Sequence, residues 1–344
     1  MLDTDSAADD LAEIYDLAPS LEKAEATRDI HARVAHVIPW ADWAIHAPYI
    51  VAINALKKTR NAVILGHNYM APEIFHGVSD FVGDSLQLAI EATRTEAEVI
   101  VQCGVHFMAE TSKVLNPSRT VLIPDMGAGC SLAESVTPED IAALRARHPG
   151  APVVSYVNTS AAVKAVSDIC CTSANALRVV DAMEGDTVIM APDRFLAQNV
   201  ARESSKKVVW AEGACMVHEL FTPEDLREWR AQEPDGKIIA HPECPPEVVA
   251  EADFSGSTSG MVTWLRDHRA QKALLVTECS MAANVAGDLP EVSFAKPCNL
   301  CPHMQKITLP KILHALHYGE DEVTVDPALA EKAARAVQRM IDLG

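Results

Sequence analysis

Aromatic residues are scarce in this sequence, 5% of 344 positions, and bases are few, 29 Lys and Arg against 48 Asp and Glu. Few aromatics leave Ala, Val, Leu and Ile to build the cores, a composition suited to a soluble protein. The formal net charge of -19 argues against general affinity for nucleic acid or an anionic membrane, because both need a basic face. Small anions stay open, since a few backbone N–H groups can set a local field. No apolar run is long enough to span a membrane. The acidic start (Asp3, Asp5, Asp9, Asp10, Glu13, Asp16) lacks the basic segment and apolar run of a signal peptide, so a cytoplasmic protein is expected. A length of 344 residues points to two or three domains.

A disulfide framework is not expected from nine cysteines in a chain without an export signal. Metal binding or catalysis is the better role for some of them. An internal repeat selects which. "CSLAESVTPED" begins at Cys130 and "CMVHELFTPED" at Cys215, an offset of 85. In each, Thr-Pro-Glu-Asp gives an N-cap, a proline at the first helical position and acids in the first turn. At the same offset Tyr156 falls on His241, Asn158 on Glu243, Asp168 on Asp253 and Ser173 on Thr258. Upstream, "NAVILGHN" places His67 at the position of Tyr156, and "SDFVGDSLQLA" matches "SDICCTSANAL" with one residue inserted. A third repeat should end in a cysteine, and Cys301 stands 86 residues after Cys215.

Each copy reads as helix, strand, polar tip, helix, strand, helix, strand and cysteine. Short β-branched runs alternating with helices indicate parallel sheets covered on both faces. The expected fold is α/β: three pseudo-threefold-related α/β/α domains with short parallel sheets and an active site at the central axis. The expected boundaries are an acidic helical extension over 1–48 and repeats over 49–133, 134–219 and 220–310. A helical segment over 311–344, amphipathic at its end, should pack back on the repeats.

Ligands of parallel sheets gather beyond the carboxyl ends of the strands. That brings together His67, Asn68 and Tyr69, then Tyr156 and Asn158, then His241 and Glu243. The hydroxyls of Ser85, Ser173 and Thr258 come from the starts of the following helices, where N–H groups favour phosphate or carboxylate. Three repeat-end thiols, Cys130, Cys215 and Cys301, make a three-ligand metal site with one position open. Zinc with a water fits this pattern, and so does a [4Fe–4S] cluster with one free iron. The remaining cysteines fit small buried roles, except that Cys298 forms a C-x-x-C pair with Cys301.

"GHNYM", "FMAETSKVLNP", "GCSLAES", "YVNTSAAVKA", "CCTSANA", "HPECP", "SGSTSGM" and "CPHMQKITL" together resemble the quinolinate synthase (NadA) family of NAD (pyridine nucleotide) biosynthesis, from about Ala62 to Leu309. The resemblance implies a transferase that condenses iminoaspartate (iminosuccinate) with dihydroxyacetone phosphate. Phosphate and water leave and quinolinate forms, in an iron–sulfur enzyme whose [4Fe–4S] cluster has an open iron acting as Lewis acid. It implies Cys130, Cys215 and Cys301 as the metal ligands. Substrate contacts would be His67, Ser85, Tyr156, Asn158, Ser173, His241, Glu243 and Thr258. Tyr69 and Glu243, with His67 beside them, would be catalytic. L-aspartate oxidase or dehydrogenase is the implied functional partner. Where some members of the family carry C-x-x-C-x-x-C, this chain has Ala295, Cys298 and Cys301. Two other classes meet the same cysteine pattern, a zinc-dependent aldolase or hydrolase and an iron–sulfur sensor. The sensor would need a basic DNA-binding element, and none is visible.

Overall fold

A computed structural model describes the backbone of residues 4–295 and 299–344, with side chains from residue 10 onward. Cys298, and with it the expected pair with Cys301, lies outside the described residues. Three four-stranded sheets carry the fold. β1 (Ala62–His67), β2 (Phe81–Gly83), β3 (Val99–Cys103) and β4 (Thr120–Leu122) make the first. β5 (Val153–Tyr156), β6 (Ile169–Cys171), β7 (Thr187–Ala191) and β8 (Lys207–Trp210) make the second. β9 (Lys237–Ala240), β10 (Phe254–Ser255), β11 (Lys272–Val276) and β12 (Ser293–Ala295) make the third. Every sheet has its strands in the order second, first, third, fourth, and the pairings are parallel. The expected α/β fold of three repeated units is the observed one.

The sequence offset persists as hydrogen-bond register. Val154 pairs with Ile169 and, 85 residues on, Ile239 pairs with Phe254. Val153 pairs with Ile189 and Ile238 with Leu274 at the same offset. In the first sheet Leu65 pairs with Phe81, one residue further along, which accommodates the insertion. The central strands are buried almost throughout, as apolar runs covered on both faces must be.

Repeated polar devices hold these elements. Thr137 caps the helix Pro138–Arg147 by accepting from Asp140 N at 3.2 Å, and Thr222 caps Pro223–Gln232 by accepting from Asp225 N at 3.3 Å. Asp80, Asp168 and Asp253 each accept a backbone N–H from the first strand of their own sheet, at Ile64, Val153 and Ile238 (2.8, 2.7 and 2.8 Å). A base on the preceding helix, Lys57, Arg145 or Arg230, pairs with the same carboxylate at 2.8, 2.7 and 3.0 Å. The Asp168/Asp253 match seen in the sequence is thus a strand clamp.

Contacts between the units run in a cycle. Asn199 donates to Pro242 O (2.9 Å) and Cys244 O (3.0 Å), joining the second unit to the third. Asn284, 85 residues later, donates to Asn68 O (3.0 Å) and Met70 O (2.8 Å), joining the third to the first. Glu110, one residue before the position equivalent to Asn199 in the first unit (Thr111), accepts from Ala161 N of the second at 2.9 Å. Each unit is therefore hydrogen-bonded to the next, two of the junctions through an asparagine amide and one through a carboxylate.

Helices Thr4–Tyr15, Leu21–Ala26 and Arg28–Val34 precede the first unit. The helix Trp40–Thr59 runs through residue 49, so the N-terminal segment enters the first unit without a break. At the other end Pro327–Leu343 packs on the helices His106–Leu115 and Ala161–Ala165. Among the described residues no helix is long and apolar enough to cross a membrane.

Candidate active site

The first strands of the three sheets end at one cavity. β1 ends at His67, with Tyr69 two residues on, and β5 ends at Tyr156, with Asn158 two residues on; His241 and Glu243 follow β9. All six side chains line the cavity. Ser85, Ser173 and Thr258 line it too, as do Cys130, Cys215 and Cys301. The structure therefore brings these twelve residues together at one cavity. Asn68 stands just behind, its amide donating to Thr258 Oγ1 at 2.7 Å. Ser85 and Thr258 open their helices, which are capped by Asp84 and Ser257. Ser173 instead lies in the turn ahead of the helix Ala176–Ala182.

The cysteines sit differently from their expected place at the strand ends. β4 and β8 stop at Leu122 and Trp210, and Cys130 and Cys215 follow on loops; Cys301 lies outside β12 (Ser293–Ala295), in irregular backbone. The reason is topological. The fourth strand is the edge of each sheet, two strand spacings (about 10 Å) from the first strand, so a loop must cross that distance to reach the cavity. The loops are tied to one another. Ser131 Oγ donates to Ala214 O (3.3 Å) and accepts from Met216 N (3.1 Å), gripping both sides of Cys215. Lys311 pairs with Asp125 at 2.5 Å and Lys306 donates to Gly127 O at 2.6 Å, joining the Cys130 loop to the segment after Cys301.

Sequence reasoning missed His218, Thr277 and Glu278. His218 follows Cys215 by three residues, a Cys-x-x-His spacing that was legible; Thr277 and Glu278 carry no local signal. These residues complete a hydrogen-bonded path. Tyr69 OH meets Thr277 Oγ1 at 2.5 Å, and Thr277 Oγ1 meets His218 Nε2 at 2.9 Å. His218 Nδ1 lies 2.8 Å from Glu243 Oε2, and Tyr156 OH donates to Glu243 Oε1. His218 Nδ1 also lies 3.2 Å from Cys215 Sγ. Glu278 accepts from Cys301 N at 3.2 Å, which fixes the backbone of that thiol.

Burial sets the charge states. It brings His67 down to about 4 and His241 to about 3, so both rings are neutral at neutral pH. Tyr69 and Tyr156 are pushed well up, first by burial and then by the nearby Glu243 charge. Burial opposes ionisation of Glu243, but His218, 2.8 Å away, and the hydrogen bond from the Tyr156 hydroxyl outweigh it and hold the carboxyl below its usual range. Burial raises Glu278 to about 7 and Cys130 to about 12, and it raises Cys215 and Cys301 as well. A carboxylate between two neutral phenols, backed by neutral imidazoles, can accept and return protons while the phenols donate them.

Among the described residues, the group of three metal-type donors whose ligand atoms all lie within 4.8 Å of one another is Cys215, His218 and Glu243, not the three cysteines. A single zinc holds its sulfurs at about 2.3 Å, hence about 3.8 Å apart. The three cysteine sulfurs do not all lie within 4.8 Å of one another, so as they stand they are more open than the ligands of one zinc ion. Its thiols are uncharged without metal, so loading would release protons.

Comparison with known proteins agrees with this geometry. The family model described as "Quinolinate synthetase A protein" matches residues 51–342. The chain is 57% identical over 328 residues to a quinolinate synthase of Sinorhizobium medicae, covering 95% of this chain and 91% of that protein. It is 59% identical over 314 residues to one from Agrobacterium fabrum (91% of each chain). It is 51% identical over 345 residues to one from Caulobacter vibrioides (97% of this chain, 94% of that protein). The chain belongs to the quinolinate synthase family.

Proposed function

We propose that this chain is a quinolinate synthase of NAD biosynthesis, a transferase that condenses iminoaspartate with dihydroxyacetone phosphate and releases phosphate and water. The observation that carries the reading is convergence. Residues chosen from three sequence repeats, on separate sheets, line a single cavity. We assign Cys130, Cys215 and Cys301 as ligands of a [4Fe–4S] cluster, on the chemistry of three thiols that line one cavity. When bound, such a cluster supplies a Lewis-acidic iron at its open position.

The remaining work falls to the chain's own side chains. Glu243, ionised and aimed by His218 and His241, accepts a proton from the bound substrate. Tyr69, a neutral phenol, donates one, and the Thr277–His218 path carries the proton between them. Tyr156 steadies Glu243 and, with Asn158, faces the ligand; the side-chain oxygen of Asn158 is buried without a protein partner. Neutral His67 and His241 orient polar groups without bringing charge. Ser85, Ser173 and Thr258 offer hydroxyls near helix starts, where phosphate and carboxylate are favoured. The reaction would take place in the cytoplasm, with iminoaspartate supplied by an L-aspartate oxidase or dehydrogenase. We also assign the repeats to 49–133, 134–219 and 220–310.

The rival reading is a zinc enzyme, favoured by the Cys215, His218 and Glu243 group. Metal analysis and an optical spectrum on anaerobically purified protein separate the two. About four irons and four sulfides per chain, with a broad visible absorption, support the cluster. One zinc in a colourless protein overturns it. Cys130→Ala, Cys215→Ala or Cys301→Ala should each abolish iron loading.

A further inference from the structure

Lys164 is 0% exposed, a lysine sealed inside the protein. It lies on the helix Ala161–Ala165 of the second unit. Its ammonium donates to Thr159 O and sits 5.4 Å from the centre of the Phe107 ring, itself a wall of the cavity. The hydrogen-bond acceptor is a neutral carbonyl, which leaves the charge poorly compensated and its desolvation penalty heavy. The fold does not call for this residue. At the equivalent positions the other units carry Phe75 and Val249, both apolar. Burial lowers the Lys164 pKa, and Cys170, Glu110 and Cys130 lie close enough that, where ionised, they oppose that drop. Of these, Cys130 lines the cavity and Glu110 is committed elsewhere, with Oε2 on Ala161 N at 2.9 Å and Oε1 4.0 Å from His106 Nδ1.

We propose that Lys164 is a counter-charge held behind the cavity wall, one that draws doubly negative small molecules into the site. A positive charge one ring away from the cavity acts through low-dielectric material, where it is screened far less than a surface lysine. The two apolar equivalents show that an uncharged side chain satisfies the same helix; the charge is what is particular to this unit. The inference rests on the site assignment proposed above, but its test needs no turnover.

Calorimetric titration of the purified protein with succinate, a plain dianion, and succinamide, its neutral isostere, reads the charge directly. Lys164→Gln keeps an N–H for Thr159 O and removes the charge, and Lys164→Met removes both. Either variant should weaken succinate about tenfold and succinamide less than about twofold, without lowering the thermal midpoint. Glu110→Gln/Lys164→Met should stay as weak for succinate as Lys164→Met alone. Equal weakening of both probes would overturn the proposal, as would a lower thermal midpoint with succinate affinity unchanged. Restored succinate affinity in the double variant would reduce Lys164 to a partner of Glu110, and absence of succinate binding in the wild-type protein would also overturn it. Failure to make quinolinate with Lys164-dependent succinate binding intact would remove the proposed function and leave this inference standing.

Discussion

Glu243 is held from both sides, by the Tyr156 hydroxyl at one oxygen and by His218 at the other. Glu243→Gln is nearly isosteric and keeps the Tyr156 hydroxyl in place while removing the base. We expect iron and sulfide content to match wild type and turnover to fall at least about 100-fold, read by product formation under anaerobic conditions. Turnover within a few-fold of wild type would remove the base assignment. Cys103 gives the opposite expectation. It is fully buried at the end of β3 and absent from the cavity wall, so Cys103→Ala should leave metal content and activity unchanged at a cost of about 1 kcal/mol in unfolding. At this scale the sequence was informative where a residue recurs at a repeat position, as His67, Tyr156 and His241 do. Thr277 and Glu278 were invisible because their importance comes from packing against another unit, which no local pattern encodes.

The same distinction holds for elements. Thr-Pro-Glu-Asp was readable as a helix start because the N-cap is a local hydrogen bond, and Thr222→Ala should lower stability by about 1 kcal/mol in chemical denaturation. The loops that carry the cysteines were misjudged as strand ends, because strand order, and hence the distance from edge to cavity, is a long-range property. The short helix Pro72–Phe75 and its C-terminal residue His76 allow a pH test outside the site. His76 is buried, with Nε2 3.2 Å from Asn284 O, and burial together with nearby Arg33 lowers its pKa to about 4; Asp288 and His36 also face it. Unfolded, the ring titrates near 6.5, so between pH 6.5 and about 4 the unfolded chain binds a proton that the folded chain refuses. The associated stability is present above that window and is lost as pH falls through it. His67 and His241 act with the same sign, and Glu278, raised to about 7, acts with the opposite sign from about 4.5 upward. The comparison is therefore between variants. His76→Gln should lose less thermal stability than wild type between pH 6.5 and 4.5, and an identical pH slope would contradict the account.

Over the whole molecule, the cycle of junctions through Glu110, Asn199 and Asn284 makes the site a shared product of three units. Asn284→Ala removes two buried hydrogen bonds to the tip that bears Tyr69, at a cost of about 2–3 kcal/mol, and should impair turnover more than its distance from the cavity wall suggests. The three-unit architecture was legible because a repeat of constant offset survives as strand register. The order of the strands and the cycle of contacts were not, since the first is a long-range relation within each unit and the second a relation between units. The central claim is that these cysteines, the Tyr69–Glu243 path and the shared cavity together make quinolinate. The most direct test is an anaerobic assay with iminoaspartate generated in place and dihydroxyacetone phosphate, following quinolinate by chromatography with iron and sulfide counted on the same sample. The account predicts quinolinate formation that disappears in Cys130→Ala, Cys215→Ala and Cys301→Ala. Absence of quinolinate from fully iron-loaded wild-type protein, or undiminished formation in any of the three variants, would contradict it.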